Sequence, residues 1–285
     1  MLLKLIAAIS MLIDHIGYYF GSWLPPDLYF TLRALGRLAF PIFAFYIALG
    51  YRRTSHLGRY FLRLTCFALL SEIIIRTSHD LAGYASYGTN VLFTFVAALG
   101  FISGWTLLTS SWRDRVARLQ PLTNYCGSQD EADYFQIRYT PGELSLHPVL
   151  GMVLGTSAMI ISLCAAIYLD SDYGIYGILT VFVFHLVQNK HCYDTDLTGM
   201  LNSSLLYLVL LNLLALLAYR YLLNLPGRYQ YIQFLSIISV FVIYSPRAGR
   251  QALYGSKPVA WKQYLWYIFY PVHIFLLCLL VHLIR

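Results

Sequence analysis

At 285 residues, 59% hydrophobic, 16% aromatic and only 12% charged, with a mean hydropathy of +0.61, the chain carries about half the charge of a soluble domain. In so apolar a chain the formal net charge of +7 reads as a membrane-topology signal, and no nucleic-acid partner is expected. The five cysteines are odd in number and scattered without a CxxC pair, which argues against a disulfide framework and against a metal site.

Nine apolar stretches follow one another, each about long enough to cross a hydrocarbon core of ~30 Å. They cover about 3–20, 29–51, 59–76, 89–109, 148–168, 173–189, 202–222, 229–246 and 264–284. The third and sixth are short or polar at one end. The first keeps charge at its centre and lacks a small-residue cleavage site, so a membrane helix is expected there and not a cleaved leader. The pattern predicts an all-α, polytopic transmembrane helical bundle forming one domain over 1–285. With the N-terminus cytoplasmic, 13 of the 20 Lys and Arg fall on inner segments, four at outer ones and three within spans. That bias predicts an N-in, C-out topology. Residues 110–147 carry nine of the 33 charged residues and are expected to be a cytoplasmic insertion that first prolongs the fourth helix.

Within these spans the polar residues form two sets. A charged side chain at the bilayer centre costs at least ~2.5–3.5 kcal/mol, so each one needs a partner or a task. "MLIDHIG" (11–17) puts Asp14 and His15 in the outer half of the first span, and "LRALGRLAFP" (32–41) puts Arg33 and Arg37 at the same depth. Their i, i+4 spacing places both guanidinium groups on one helix face. Glu72, Asn90 and Asp172, with its neighbour Tyr173, join that layer from three further segments. The bland reading of the carboxylates and arginines is a mutually neutralising network that fixes helix packing; for His15 it is a hydrogen-bonded core histidine. The chemical reading is proton transfer, which an imidazole beside a carboxylate suits near neutral pH. Adjacent helical residues point about 100° apart, so Asp14 is expected to pair with an arginine while His15 faces a cavity.

The second set lies on the cytoplasmic side. Arg52, Arg53 and Arg63 stand on the second and third spans, and Arg247 and Arg250 between the eighth and ninth. Topology alone is one explanation; a polyanion site or anionic lipid headgroups are others, because guanidinium recognises phosphate bidentately. "YIFYPVHI" (267–274) is expected to place Tyr267, Tyr270 and His273 in the inner half of the last span, around a proline that suits a cavity lining.

These motifs, with "YRRTSHLGRYFLRL" (51–64), "FALLSE" (67–72), "NVLFT" (90–94) and "DYGIYGIL" (172–179), resemble the TraX family of integral-membrane acetyltransferases, named for the conjugative-pilin N-acetylase. The insertion at 110–147 and the "YSPRAG" loop depart from the family pattern. The resemblance implies a bacterial cytoplasmic-membrane enzyme, similar to the wider transmembrane acyltransferases, that takes acetyl from cytoplasmic acetyl-CoA to an acceptor on the outer side. It implies that the inner arginines hold the CoA phosphates and that His15 acts as base or acetyl relay. Arg33, Arg37 or Asn90 would then stabilise the oxyanion, and no metal is needed. The acceptor is left open between a pilin-like N-terminus, an envelope glycan, a lipid and a secreted small molecule. The rival functions are a proton-coupled transporter using the same polar layer and a non-catalytic membrane scaffold. Dependence on acetyl-CoA separates the enzyme from both.

Overall fold

The computed structural model describes residues 2–86, 88–119, 147–191, 196–222, 233–255 and 260–284. Most of the insertion expected at 110–147 falls outside these residues, although Val91–Leu119 is one continuous helix and so does prolong the fourth span. In chain order the helices are α1 (Leu2–Phe20), α2 (Pro26–Gly36), α3 (Ala39–Arg53), α4 (Leu57–Ala82), α5 (Val91–Leu119), α6 (Pro148–Tyr168), α7 (Gly174–Lys190), α8 (Leu197–Leu217), α9 (Ile238–Ile243), α10 (Pro246–Tyr254) and α11 (Ala260–Ile284). Among the described residues an isolated bridge between Thr89 and Ser171 is the sheet-like pairing, so the fold is all-α.

Among the described residues six segments are both long and apolar enough to cross a membrane: Leu2–Trp23, Pro26–Arg53, Val91–Arg115, Pro148–Tyr168, Leu197–Tyr221 and Tyr264–Ile284. The other three expected spans fall short in different ways. Helix α4 is long but carries several charges, α7 stops at 17 residues, and a shorter apolar helix covers Phe234–Ile243.

The second span is not one helix. Pro41 has no N–H to offer the Arg37 carbonyl, and the chain turns at Arg37 and Leu38, separating α2 from α3. Helix α3 then runs through the middle of the bundle, with Ile42, Ala44, Phe45 and Ala48 fully buried. It packs against α1 and α7, while α5 packs against α7 and α4 against α11. Helices α5 and α6 meet through glycines: a methyl group on Gly104 would lie 2.6 Å from the Gly155 carbonyl oxygen. Such close backbone approach is how membrane helices associate without a hydrophobic driving force between them. Burial of α3 and α7 at the centre leaves α6 and α8 at the periphery, with large apolar side chains turned outward.

Candidate functional site

Asp14 reaches its partner because Gly36 has no side chain; a methyl group at Gly36 would overlap the Asp14 carboxylate. With α1 and α2 that close, Arg33 Nη1 donates to Asp14 Oδ2 at 2.7 Å and Arg37 Nη2 lies 3.9 Å from Oδ1. The paired side chains are each only 16% exposed, so the ions have left bulk water and need one another. Arg37 Nη1 also donates to the Tyr173 hydroxyl at 3.1 Å. The expected separation of roles holds: Asp14 binds arginine, and His15 on the next 100° of helix points elsewhere.

His15 meets a residue expected in the other set. Its Nδ1 is 2.9 Å from the Met11 carbonyl oxygen and 3.1 Å from Nε2 of His273, whose own Nδ1 is 2.7 Å from the Phe269 carbonyl oxygen. A carbonyl can only accept, so each Nδ1 carries the proton, and His15 Nδ1–H is shared between Met11 and His273. That tautomer leaves the lone pair on His15 Nε2, the atom a base requires. His273 and Tyr270 therefore stand with His15 and not with the inner arginines, which corrects their expected place. The physical reason is that both residues lie near the middle of the Tyr264–Ile284 segment, so assigning them to its inner half does not separate them from His15.

Beside His15 lies a cavity of about 870 Å³ lined by residues of α1, α2, α4, α7, α8, α11 and the loops before α5 and α7, including Asp14, His15, Arg33, Arg37, Asp172 and Tyr270. Glu72, Asn90 and Tyr173 line it as well. The polar layer read from five separated stretches is thus one place. Asn90, however, is fully engaged: its amide donates to Glu72 and to the Ala68 carbonyl at 2.9 Å each, and its Oδ1 accepts from the Leu92 N–H. It locks the start of α5 and has no amide hydrogen left for an oxyanion. Glu72 is held between Asn90 and Arg76, the latter donating at 2.6 Å.

The loop before α7 closes the cavity. Thr89 N–H donates to the Asp170 carbonyl and Asp172 N–H to the Thr89 carbonyl, pinning the two loops side by side. Asp170 and Tyr173 both take positive φ, 45° and 64°, a strained choice for non-glycine residues. At Tyr173 the stacked Phe40 ring, 3.9 Å away, and the Arg37 hydrogen bond offset that cost. Asp172 is exposed to the cavity, with protein packed closely around its carboxyl. Its carboxyl is pushed up to about 6, loss of solvation outweighing the pull of Arg37.

Two residues that sequence reasoning passed over complete the site. Tyr19 hydroxyl lies 2.7 Å from His79 Nε2, and His79 Nδ1 lies 3.0 Å from Ser86 Oγ. Both Tyr19 and His79 line the cavity. Tyr19 follows His15 by four residues and so shares its helix face, a signal the sequence did contain.

The inner arginines are not gathered into one pocket. Arg52 Nη1 donates to the Gln188 carbonyl at 2.9 Å and Arg53 donates to the Leu253 carbonyl, so both tie helix ends together. Arg63 lies over the rings of Tyr60 and Tyr267, 5.5 and 5.9 Å from their centroids. Arg247 and Arg250 are exposed on α10, the helix that Arg53 reaches through Leu253. Lys4, over the Tyr46 ring at 4.9 Å, adds a further cation on α1.

Helix lengths, apolar exteriors and a buried ionic cavity define a polytopic helical membrane protein. Residues 1–120 match the family model described as TraX protein. The matched range carries Asp14, His15, Arg33, Arg37, Glu72 and Asn90, so the resemblance read from the motifs is borne out there. No curated protein and no solved structure matches the chain.

Proposed function

We propose that this chain is an integral-membrane acetyltransferase of the bacterial cytoplasmic membrane, moving acetyl from cytoplasmic acetyl-CoA to an amine or hydroxyl on the outer side. The observation that supports the reading is His15, which lines the cavity with its Nδ1 held by the Met11 carbonyl and His273, leaving Nε2 as the basic nitrogen beside an Asp14 already paired with arginine. In this reading the chain crosses the membrane nine times with its N-terminus inside, and the Lys and Arg bias supports that orientation.

Acetyl-CoA is a substrate here. Lys4 of α1, Arg53 of α3, Arg63 of α4 and Arg247 and Arg250 of α10 are among the cations away from the His15 layer, and the unpaired Nε of Arg63 leaves a donor for an anion. Lys4 and His15 are separated by about 16 Å of helix, a distance suited to an extended pantetheine arm. His15 Nε2 accepts the proton of the acceptor N–H or O–H as that atom attacks the thioester carbonyl. The C–S bond breaks, and the proton passes to the departing thiolate. Arg37 is the cation placed to steady the developing oxyanion, and such preorganised charge in a dry site is often the largest catalytic term. Release of free CoA thiol by the reconstituted protein, dependent on acceptor and lost in His15→Ala, tests this reading. No thiol release above that of empty vesicles refutes it.

A further inference from the structure

The cavity around His15 is not polar throughout. Past the ionic layer its wall is built by Ile175 and Leu179 of α7, Leu211 and Ala215 of α8, and Leu214. Two of these residues also reach the outside of the bundle: Ile175 is 41% exposed and Leu214 63%. Helix α8 belongs to a segment long and apolar enough to span a membrane, so its outer side meets hydrocarbon and not water. These exposed wall residues mark the line between α7 and α8 along which an opening of the cavity would face the bilayer. Just beyond, at Ala218–Leu222, α8 widens into a π-helix whose first two residues also line the cavity. Such widened turns occur mostly where a helix serves a site.

Size and charge narrow what can occupy this space. About 870 Å³ is room for a drug-sized ligand and far more than an isolated amine or hydroxyl needs. Helices α7 and α8 pack directly against each other, so a slot between them admits a flexible chain but not another helix, which is ~10–12 Å across. At the polar end Asp14 and Glu72 already hold arginines, whereas Asp172 makes no salt bridge among the described residues. A head group bearing hydrogen-bond donors complements it.

The geometry points to an acceptor that is a single-chain membrane amphiphile. Its amine or hydroxyl head lies between His15 and Asp172, and its hydrocarbon chain leaves through the α7–α8 slot into the bilayer. This rests on the acetyl-transfer reading above: the thioester C–S bond breaks, the C–N or C–O bond forms at the head, and the head's proton travels through His15 to the thiolate.

The test uses the full chain in vesicles of phosphatidylethanolamine and phosphatidylglycerol, with a long-chain alkylamine carrying a diazirine in its chain. Illumination labels residues 175–179 and 211–218, and an unlabelled long-chain alkylamine displaces the label while ethanolamine does not. Filling the slot with Ala215→Trp lowers acetylation of the long-chain amine relative to ethanolamine by about tenfold or more, as overpacking a defined space does. Ile161→Trp, on the 65% exposed outer face of α6, leaves that ratio as it was. Label spread evenly around the bundle, or a ratio unmoved by Ala215→Trp, overturns the slot. Acetylation of a soluble peptide amine without any label between α7 and α8 overturns it too. Displaceable label in the slot with no acetyl-CoA-dependent product upholds the amphiphile site and instead removes the acetyl-transfer reading.

Discussion

Replacing Asp14 with Asn separates what the ion pair does from what the imidazole does. Asp14 Oδ2 receives Arg33 Nη1 at 2.7 Å, with both side chains 84% removed from solvent and Arg37 3.9 Å from the other oxygen. Asn keeps the shape and removes the charge, which leaves Arg33 buried without its counter-ion. Breaking a buried pair in this way costs ~3–5 kcal/mol. For a domain approaching this size each kcal/mol moves the melting temperature by ~2–4 °C, so a fall of about 10 °C is expected. Arg33→Gln should cost a similar amount, and the double variant less than the sum of the two, because the second change removes the stranded partner. His15→Ala behaves differently. It loses one carbonyl hydrogen bond and the contact with His273, worth ~1 kcal/mol net, yet acetyl transfer should fall by at least ~10². The assay is thermal unfolding in detergent beside turnover in vesicles for all four variants. Asp14→Asn melting with the wild type would refute the assignment of Asp14 to packing α1 against α2.

Gly36→Ala should act like Asp14→Asn, lowering both melting temperature and turnover, because its methyl group displaces the Asp14 carboxylate; full activity in that variant would contradict the close approach. Replacing Arg53 and Arg63 together with Gln should raise the acetyl-CoA KM by about tenfold to a hundredfold with little change in acceptor KM, as loss of charge-assisted hydrogen bonds predicts. Single cysteines at Ser86 and Arg250 should react with impermeant reagents from opposite sides of the membrane, outer and cytoplasmic respectively; the same side for both would undo the N-in topology. For Asp172 the sign follows from a folded value near 6 against about 4 for a free carboxylate: the folded state holds the proton more tightly. Its contribution to stability is fully present below about pH 4 and is lost as pH rises through about 6. Asp172→Asn, which mimics the protonated acid, should therefore gain on the wild type over that window, and a difference independent of pH would refute it.

Much of this site could be read from residues alone. Asp14, Arg33 and Arg37 were legible because a charge in a hydrophobic run has few affordable fates, and an i, i+4 pair of arginines fixes a shared face. Depth was harder. The last span was expected at 264–284, as found, but Tyr270 and His273 lie near its middle, where a division into inner and outer halves does not say which polar layer a side chain joins. Asn90 was read as a catalytic amide although an Asn just before an apolar helical run is an N-cap signal, the role its Oδ1 takes toward Leu92. Nothing local foretells that Tyr173 turns to positive φ to bring its hydroxyl to Arg37, since that depends on Phe40 packing beneath it. The apolar wall of the cavity was equally hidden, because residues lining a cavity and residues facing lipid are both apolar in α7 and α8.

The central claim is that His15 performs acetyl transfer from acetyl-CoA. The measurement is transfer of labelled acetyl from acetyl-CoA to a membrane-extractable product by vesicles holding wild-type protein or His15→Ala in equal folded amounts. The wild type should yield a labelled product and the variant a rate lower by at least ~10², while both bind acetyl-CoA alike. A wild-type protein that transfers no label, or a His15→Ala variant that transfers it at nearly the wild-type rate, would contradict it.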